Sequence, residues 1–251
     1  MGNRQRTAFI LVVAGIAIGV VFFLGRSDEP EYQGRNLSSW LTEFDNWDGE
    51  DTNAPVVRAV RAIGSNAVPV IVQMCLVSDS GMKQKLAVQF ENHPQLFKYR
   101  FTTAAQRWAR AECALRILGH DAADARSPFV AALTHESGVV RRRAVSSLGS
   151  LGPEAADCLP ALIARKDDEA VRGNLMFALG SILRRPDLCV PVLIEGLSDT
   201  NVLVRQNAVH ALGQFGPEAS AAFPALTNAL ADKFTARRAE QTLRRIRTSK
   251  P

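Results

Sequence analysis

Two hydrophobic patterns divide this chain. From residue 54 onward, apolar positions recur at helical spacing, and one phrase recurs with them. It reads Ala59-x-x-x-Ile63-Gly64, Ala114-x-x-x-Leu118-Gly119, Ala144-x-x-x-Leu148-Gly149, Leu175-x-x-x-Leu179-Gly180 and Ala208-x-x-x-Leu212-Gly213. The last four begin 30, 31 and 33 residues apart. A period in this range predicts stacked helical hairpins, each unable to bury its apolar face alone. The clearest unit is residues 199–230. Its first helix carries Val202, Val204, Ala208, Ala211 and Leu212 and is expected to stop at Gly213 or Gly216. A second helix carries Ala222, Phe223, Leu226, Ala229 and Leu230, with Pro224 in its first turns, where a missing N–H costs least. Residues 135–165 and 166–198 repeat the plan with Pro160 and Pro191. Residues 107–134 and 54–74 are looser copies with Pro128 and Pro69. Residues 232–248 predict a lone last helix with Ala236, Ala239, Leu243 and Ile246 inward.

The first 25 residues follow the other pattern. An apolar run extends from Ala8 to Leu24, or from Thr7 with the threonine included. As a helix those 18 residues span about 27 Å, close to the ~30 Å hydrocarbon layer of a membrane. A cleaved signal peptide has a shorter apolar region and a small-x-small site. Here the run ends in Phe22-Phe23-Leu24-Gly25-Arg26, so an uncleaved anchor is expected over 7–25. Arg4 and Arg6 precede the run, and Asp28, Glu29 and Glu31 follow it. The positive-inside rule then leaves residues 1–6 in the cytoplasm and the repeats outside. Residues 26–53 read as a linker. Within it Leu37, Trp40, Leu41 and Phe44 make one apolar helical stripe, suited to covering the open end of the stack.

One stretch, residues 75–106, interrupts the period. It contains Phe97, Lys98, Tyr99, Arg100 and Phe101. Insertions in repeat arrays map to loops on one face, often the binding face. This segment is therefore the expected partner contact, the alternative being that its aromatics fold back on the array.

The repeats resemble the HEAT repeat family, in particular its short form first noted in phycobilisome lyases. The Ala-x-x-x-Leu-Gly phrase carries the resemblance. So do the pairs Val140-Arg141, Val171-Arg172 and Val204-Arg205, and the turns Gly152-Pro153-Glu154-Ala155 and Gly216-Pro217-Glu218-Ala219. It covers about residues 54–248. It implies an all-α solenoid of about five hairpins, and a structural ladder built from Arg141, Arg172 and Arg205. The pattern is broken at Val56 and Ala111, where the arginine is missing, so the first two repeats are expected to stack less regularly.

Composition adds little chemistry. Apolar residues make up 47% and aromatics 7%, a mix suited to close helix packing. Cys75, Cys113, Cys158 and Cys189 lack metal-ligand spacing and read as small hydrophobes. His93, His120, His135 and His210 are isolated, and no nucleotide, hydrolase or metalloprotease motif is present. No cofactor, metal or catalytic residue is expected. The pI of about 9.3 permits nucleic-acid binding. The basic tail, however, sits on the outer side of the last helix, where an end cap needs polarity. The expectation is a membrane-anchored protein-interaction scaffold. Two other readings stand beside it: a bilin-lyase-like enzyme, implied by the resemblance alone, and a nucleic-acid-binding solenoid.

Overall fold

The computed structural model of the protein describes residues 29–79 and 102–248. The expected anchor and the segment from Phe97 to Phe101 lie outside these residues. The chain after residue 54 is a row of helical hairpins. The first helices are α2 (Pro55–Ile63), α4 (Ala104–Leu118), α6 (Gly138–Ser150), α8 (Arg172–Ile182), α10 (Val202–Phe215) and α12 (Ala236–Thr248). The second helices are short: α3 (Val68–Leu76), α5 (Arg126–Ala132), α7 (Leu159–Ile163), α9 (Pro186–Gly196) and α11 (Phe223–Asn228). A 3-10 stretch precedes most of them, as at Gly152–Cys158 and Gly216–Ala222. Pro69, Pro160, Pro186 and Pro224 each sit at the start of a second helix. Phe223 and Leu230, expected inside, are exposed.

The N-terminal segment is packed rather than free. A hairpin of β1 (Glu31–Tyr32) and β2 (Arg35–Asn36) turns through Gln33 and Gly34, both at positive φ, the combination a two-residue hairpin turn requires. α1 (Leu37–Leu41) and a 3-10 turn follow. Leu37, Trp40, Leu41 and Phe44 are all buried, and α1 lies against α2 and α4. Asp45 receives a 2.8 Å hydrogen bond from Arg110 Nε. At the other end α12 buries Ala239, Thr242 and Ile246, and leaves Arg237, Arg238, Arg244 and Arg245 in solvent.

The recurrent glycine does two different jobs. Gly64 and Gly119 end α2 and α4 at φ +58° and +51°, a conformation favouring glycine. In the next three repeats the first helix runs one turn further, and the phrase glycine lies inside it. There it is required by contact. A Cβ on Gly180 would sit 2.7 Å from Ala211 Cβ and 2.8 Å from its Cα. One on Gly149 would sit 2.9 Å from Ala178 Cα, and one on Gly213 2.8 Å from Thr242 Oγ1. Gly213 therefore does not stop its helix; Gly216, at φ +55°, does.

Polar rungs join successive first helices. Arg141 Nε meets Asp168 Oδ2 at 2.6 Å and Arg205 Nε meets Asp232 Oδ2 at 2.8 Å. Arg172 Nε lies 3.0 Å from Asp199 Oδ2 but makes no hydrogen bond, so that rung is an ion pair only. Each aspartate is 27 residues after its arginine and lies just before the next first helix. A second set points backward. Asn174 donates to Ser146 Oγ at 2.8 Å, Asn207 to Gly173 O at 2.9 Å, and Arg143 to Val77 O at 2.7 Å. In α4, where Ala111 replaces the ladder arginine, Arg107 one turn earlier donates to Thr102 O and to Asp79.

Candidate functional site

Charge is distributed unevenly over the stack. The first helices α2, α4, α6, α8, α10 and α12 carry fifteen arginines and two glutamates. Outside them, residues 119–235 hold thirteen carboxylates and six cations. Asp45, Asp79, Asp168, Asp199 and Asp232 engage Arg110, Arg107, Arg141, Arg172 and Arg205. Arg58, Arg142, Arg237 and Arg238 make no ion pair.

A groove of about 420 Å³ runs across the C-terminal halves of α6, α8 and α10. Its floor is the close-packed seam at Gly149 and Gly180, because a glycine leaves no side chain to fill the space above it. Phe177 and His210, at the same place in successive repeats, stack with centroids 6.3 Å apart and planes 6° apart. Phe177 is 49% exposed and Leu183 39% exposed. Arg116 closes the N-terminal side of the groove and is shared with a second groove of about 480 Å³, lined also by Trp47, Arg61 and Cys113. No carboxylate lines either groove.

Three local features set the electrostatics here. Burial, together with the charges of Arg238 and Arg245, holds His210 below the ordinary histidine value, so it is neutral at pH 7. Its Nε2 lies 3.2 Å from Gln214 Nε2. Burial pushes the Glu112 carboxyl up to about 7, against the opposing pull of Arg116. Leu183 takes φ +48° where the flanking repeats have Gly152 and Gly216. Arg185, two residues on, has φ +50°. A left-handed leucine costs about 1 kcal/mol, and here it projects an apolar side chain at the rim.

A second apolar line marks the opposite, N-terminal edge of the first helices. Val139, Leu203 and Phe234 occupy one repeat position and are 41%, 63% and 50% exposed. This edge lies beside the arginine–aspartate ladder, whose charges are already matched.

A family model for HEAT repeats matches residues 97–180 and 159–244. The chain belongs to the HEAT repeat family. The ladder expected of a HEAT protein is present at Arg141, Arg172 and Arg205. Among solved structures, the chain is similar to an engineered protein at 19% identity, over 84% of this chain and 96% of that one, with TM-score 0.48. It is also similar to a designed armadillo repeat protein in complex with the peptide (KR)4, at 17% identity, over 84% of this chain and 100% of that one, with TM-score 0.46. No curated protein matches the sequence. HEAT solenoids belong to the repeat folds typical of protein-interaction scaffolds.

Chemistry-bearing side chains do not assemble into a site elsewhere. Among the described residues no group of three or more His, Cys, Asp or Glu could hold a metal ion. All four cysteines are free. Burial raises the Cys75 thiol to about 12 and the Cys189 thiol to about 11, so neither is a nucleophile at neutral pH. One described segment, Pro55–Leu76, is long and apolar enough by length and composition to cross a membrane. It comprises α2 and α3 of the first hairpin, and its apolar residues pack within the stack. The groove was not singled out by sequence reasoning. The signals that could have found it are Phe177 and His210 at matching repeat positions and Leu183 where glycine recurs.

Proposed function

We propose that this HEAT-repeat chain is a membrane-anchored scaffold that holds a partner protein on its row of first helices. The observation that carries the reading is the exposed face of α6, α8 and α10. It combines a glycine-floored groove, half-exposed Phe177 and Leu183, and flanking arginines with no carboxylate in the lining. A face of this kind on a rigid stack suits binding. The apolar run from Ala8 to Leu24 and the charges around it support anchoring, with the repeats outside the cytoplasm. The inserted segment with Phe97, Lys98, Tyr99, Arg100 and Phe101 is proposed as an additional contact.

Site-specific photocrosslinking tests the scaffold. With the full chain in its native membrane, a crosslinker placed at Ser181, beside the groove, should give a discrete protein adduct. The same group at Asp157, on the opposite side of the repeat, should give none. An absence of adducts at every first-helix position, or turnover of a substrate by the purified chain alone, would overturn the reading. Protease protection of the repeats in sealed vesicles tests the orientation; digestion from the cytoplasmic side would reverse it.

A further inference from the structure

The groove between α6 and α10 has a chemistry that specifies its occupant, given the scaffold reading above. Its centre is apolar and aromatic, with Phe177 stacked on His210 and Leu183 at the rim. Its two ends are cationic. Arg116 lines one end, and Arg238 of α12 lies close enough at the other to act on His210. We infer that this groove docks an extended acidic segment of a partner protein, seating one apolar side chain against Phe177 and Leu183 and flanking carboxylates on Arg116 and Arg238.

Three observations favour an acidic peptide over other occupants. First, the charges lie at either end of an uncharged middle. A nucleic-acid backbone needs cations at each phosphate step, whereas α8 offers only Arg172, which is engaged at the far edge by Asp199. Second, Leu183 holds a left-handed backbone that glycine occupies in the neighbouring repeats. Such strain is retained where the surroundings or a function require it, and here it supplies exposed apolar surface. Third, Arg238 has no carboxylate partner in the stack. A cation left unmatched while five of its counterparts along the first helices are paired with aspartates is available for an external anion.

The test is fluorescence anisotropy on the full chain in detergent. The probe is a labelled peptide with one central phenylalanine and three aspartates on each side. Controls are the same peptide with alanine for phenylalanine, the same peptide with lysines for aspartates, and a single-stranded oligonucleotide of equal charge. The acidic peptide should bind, the alanine version about tenfold more weakly, and the lysine version not at all. The double variant Arg116→Glu/Arg238→Glu should abolish binding, and Phe177→Ala should reduce it about tenfold. Both changes are at solvent-facing positions, and circular dichroism checks that the helices persist. Peptide binding indifferent to both variants, no binding at about 1 mM peptide, or a preference for the oligonucleotide would overturn the inference. Groove adducts in the photocrosslinking experiment with no peptide binding would leave the scaffold standing and remove the acidic partner.

Discussion

At the scale of single residues, the recurrent glycine separates two physical causes that look identical in the sequence. Gly180 is held by contact with Ala211, and Gly216 by its backbone angle. Gly180→Ala gains about 1 kcal/mol of helix propensity but drives a methyl into backbone. The net loss should be about 1–3 kcal/mol. Gly216→Ala should lose about 1–2 kcal/mol from left-handed strain alone. Urea unfolding of both variants checks the pair, and double substitutions with Ala211→Gly distinguish them: the loss at Gly180 should be rescued, and that at Gly216 should not. Glu112 makes a pH prediction. Its value in the fold, about 7, lies above the ordinary 4.5. The folded state therefore keeps the proton longer, and stability falls as pH rises from about 4.5 to about 7. Glu112→Gln should raise stability by about 1–3 kcal/mol at pH 8 and by much less at pH 5. Thermal melts at the two pH values read the difference, and equal gains at both would contradict it.

At the scale of elements, the ladder fixes one hairpin on the next. Arg141 binds Asp168 and also donates to His135 O and Glu136 O. Truncating it leaves two carbonyls and a carboxylate without their donor. Arg141→Ala should cost about 2 kcal/mol and Asp168→Ala about 1 kcal/mol, with a coupling energy of about 1 kcal/mol in a double-mutant cycle. The arginines of this ladder were legible in the sequence because they recur beside a fixed phrase. Their partners were not, because Asp168, Asp199 and Asp232 stand among other loop acids, and only the stacking shows which one each arginine reaches. The hairpins, the prolines opening the second helices and the apolar stripe from Leu37 to Phe44 were legible for the same reason, periodicity. The 3-10 stretches were not, since i→i+3 turns carry no apolar period of their own. The groove was also hidden. It is built from residues 33 apart, Phe177 and His210, that are ordinary exposed helix positions until the two helices lie side by side.

At the scale of the whole molecule, the stack is closed at both ends by amphipathic elements, α1 and α12. α12 covers Ala211, Leu212 and Val209 of the last hairpin. Removing residues 232–251 uncovers that face and deletes the Thr242 hydrogen bond to Val209 O. The shortened chain should melt about 10 °C lower and self-associate through the bared surface. Analytical ultracentrifugation and a thermal scan check this, and a monomer with unchanged melting would contradict it. The segregation of arginine to the first helices is also a property of this scale, since no single repeat shows it.

The seam glycines carry one more consequence. Each of the last three junctions is spaced by a methyl group that is not there, so the rise from plate to plate is fixed by atoms touching, not by the loops between them. A larger residue at Ala178 or Ala211 would act as a washer slipped into that joint. It would tilt everything beyond it and alter the gap separating Arg116 from Arg238 while leaving both untouched. Partner selectivity can thus be retuned from positions that never meet the partner.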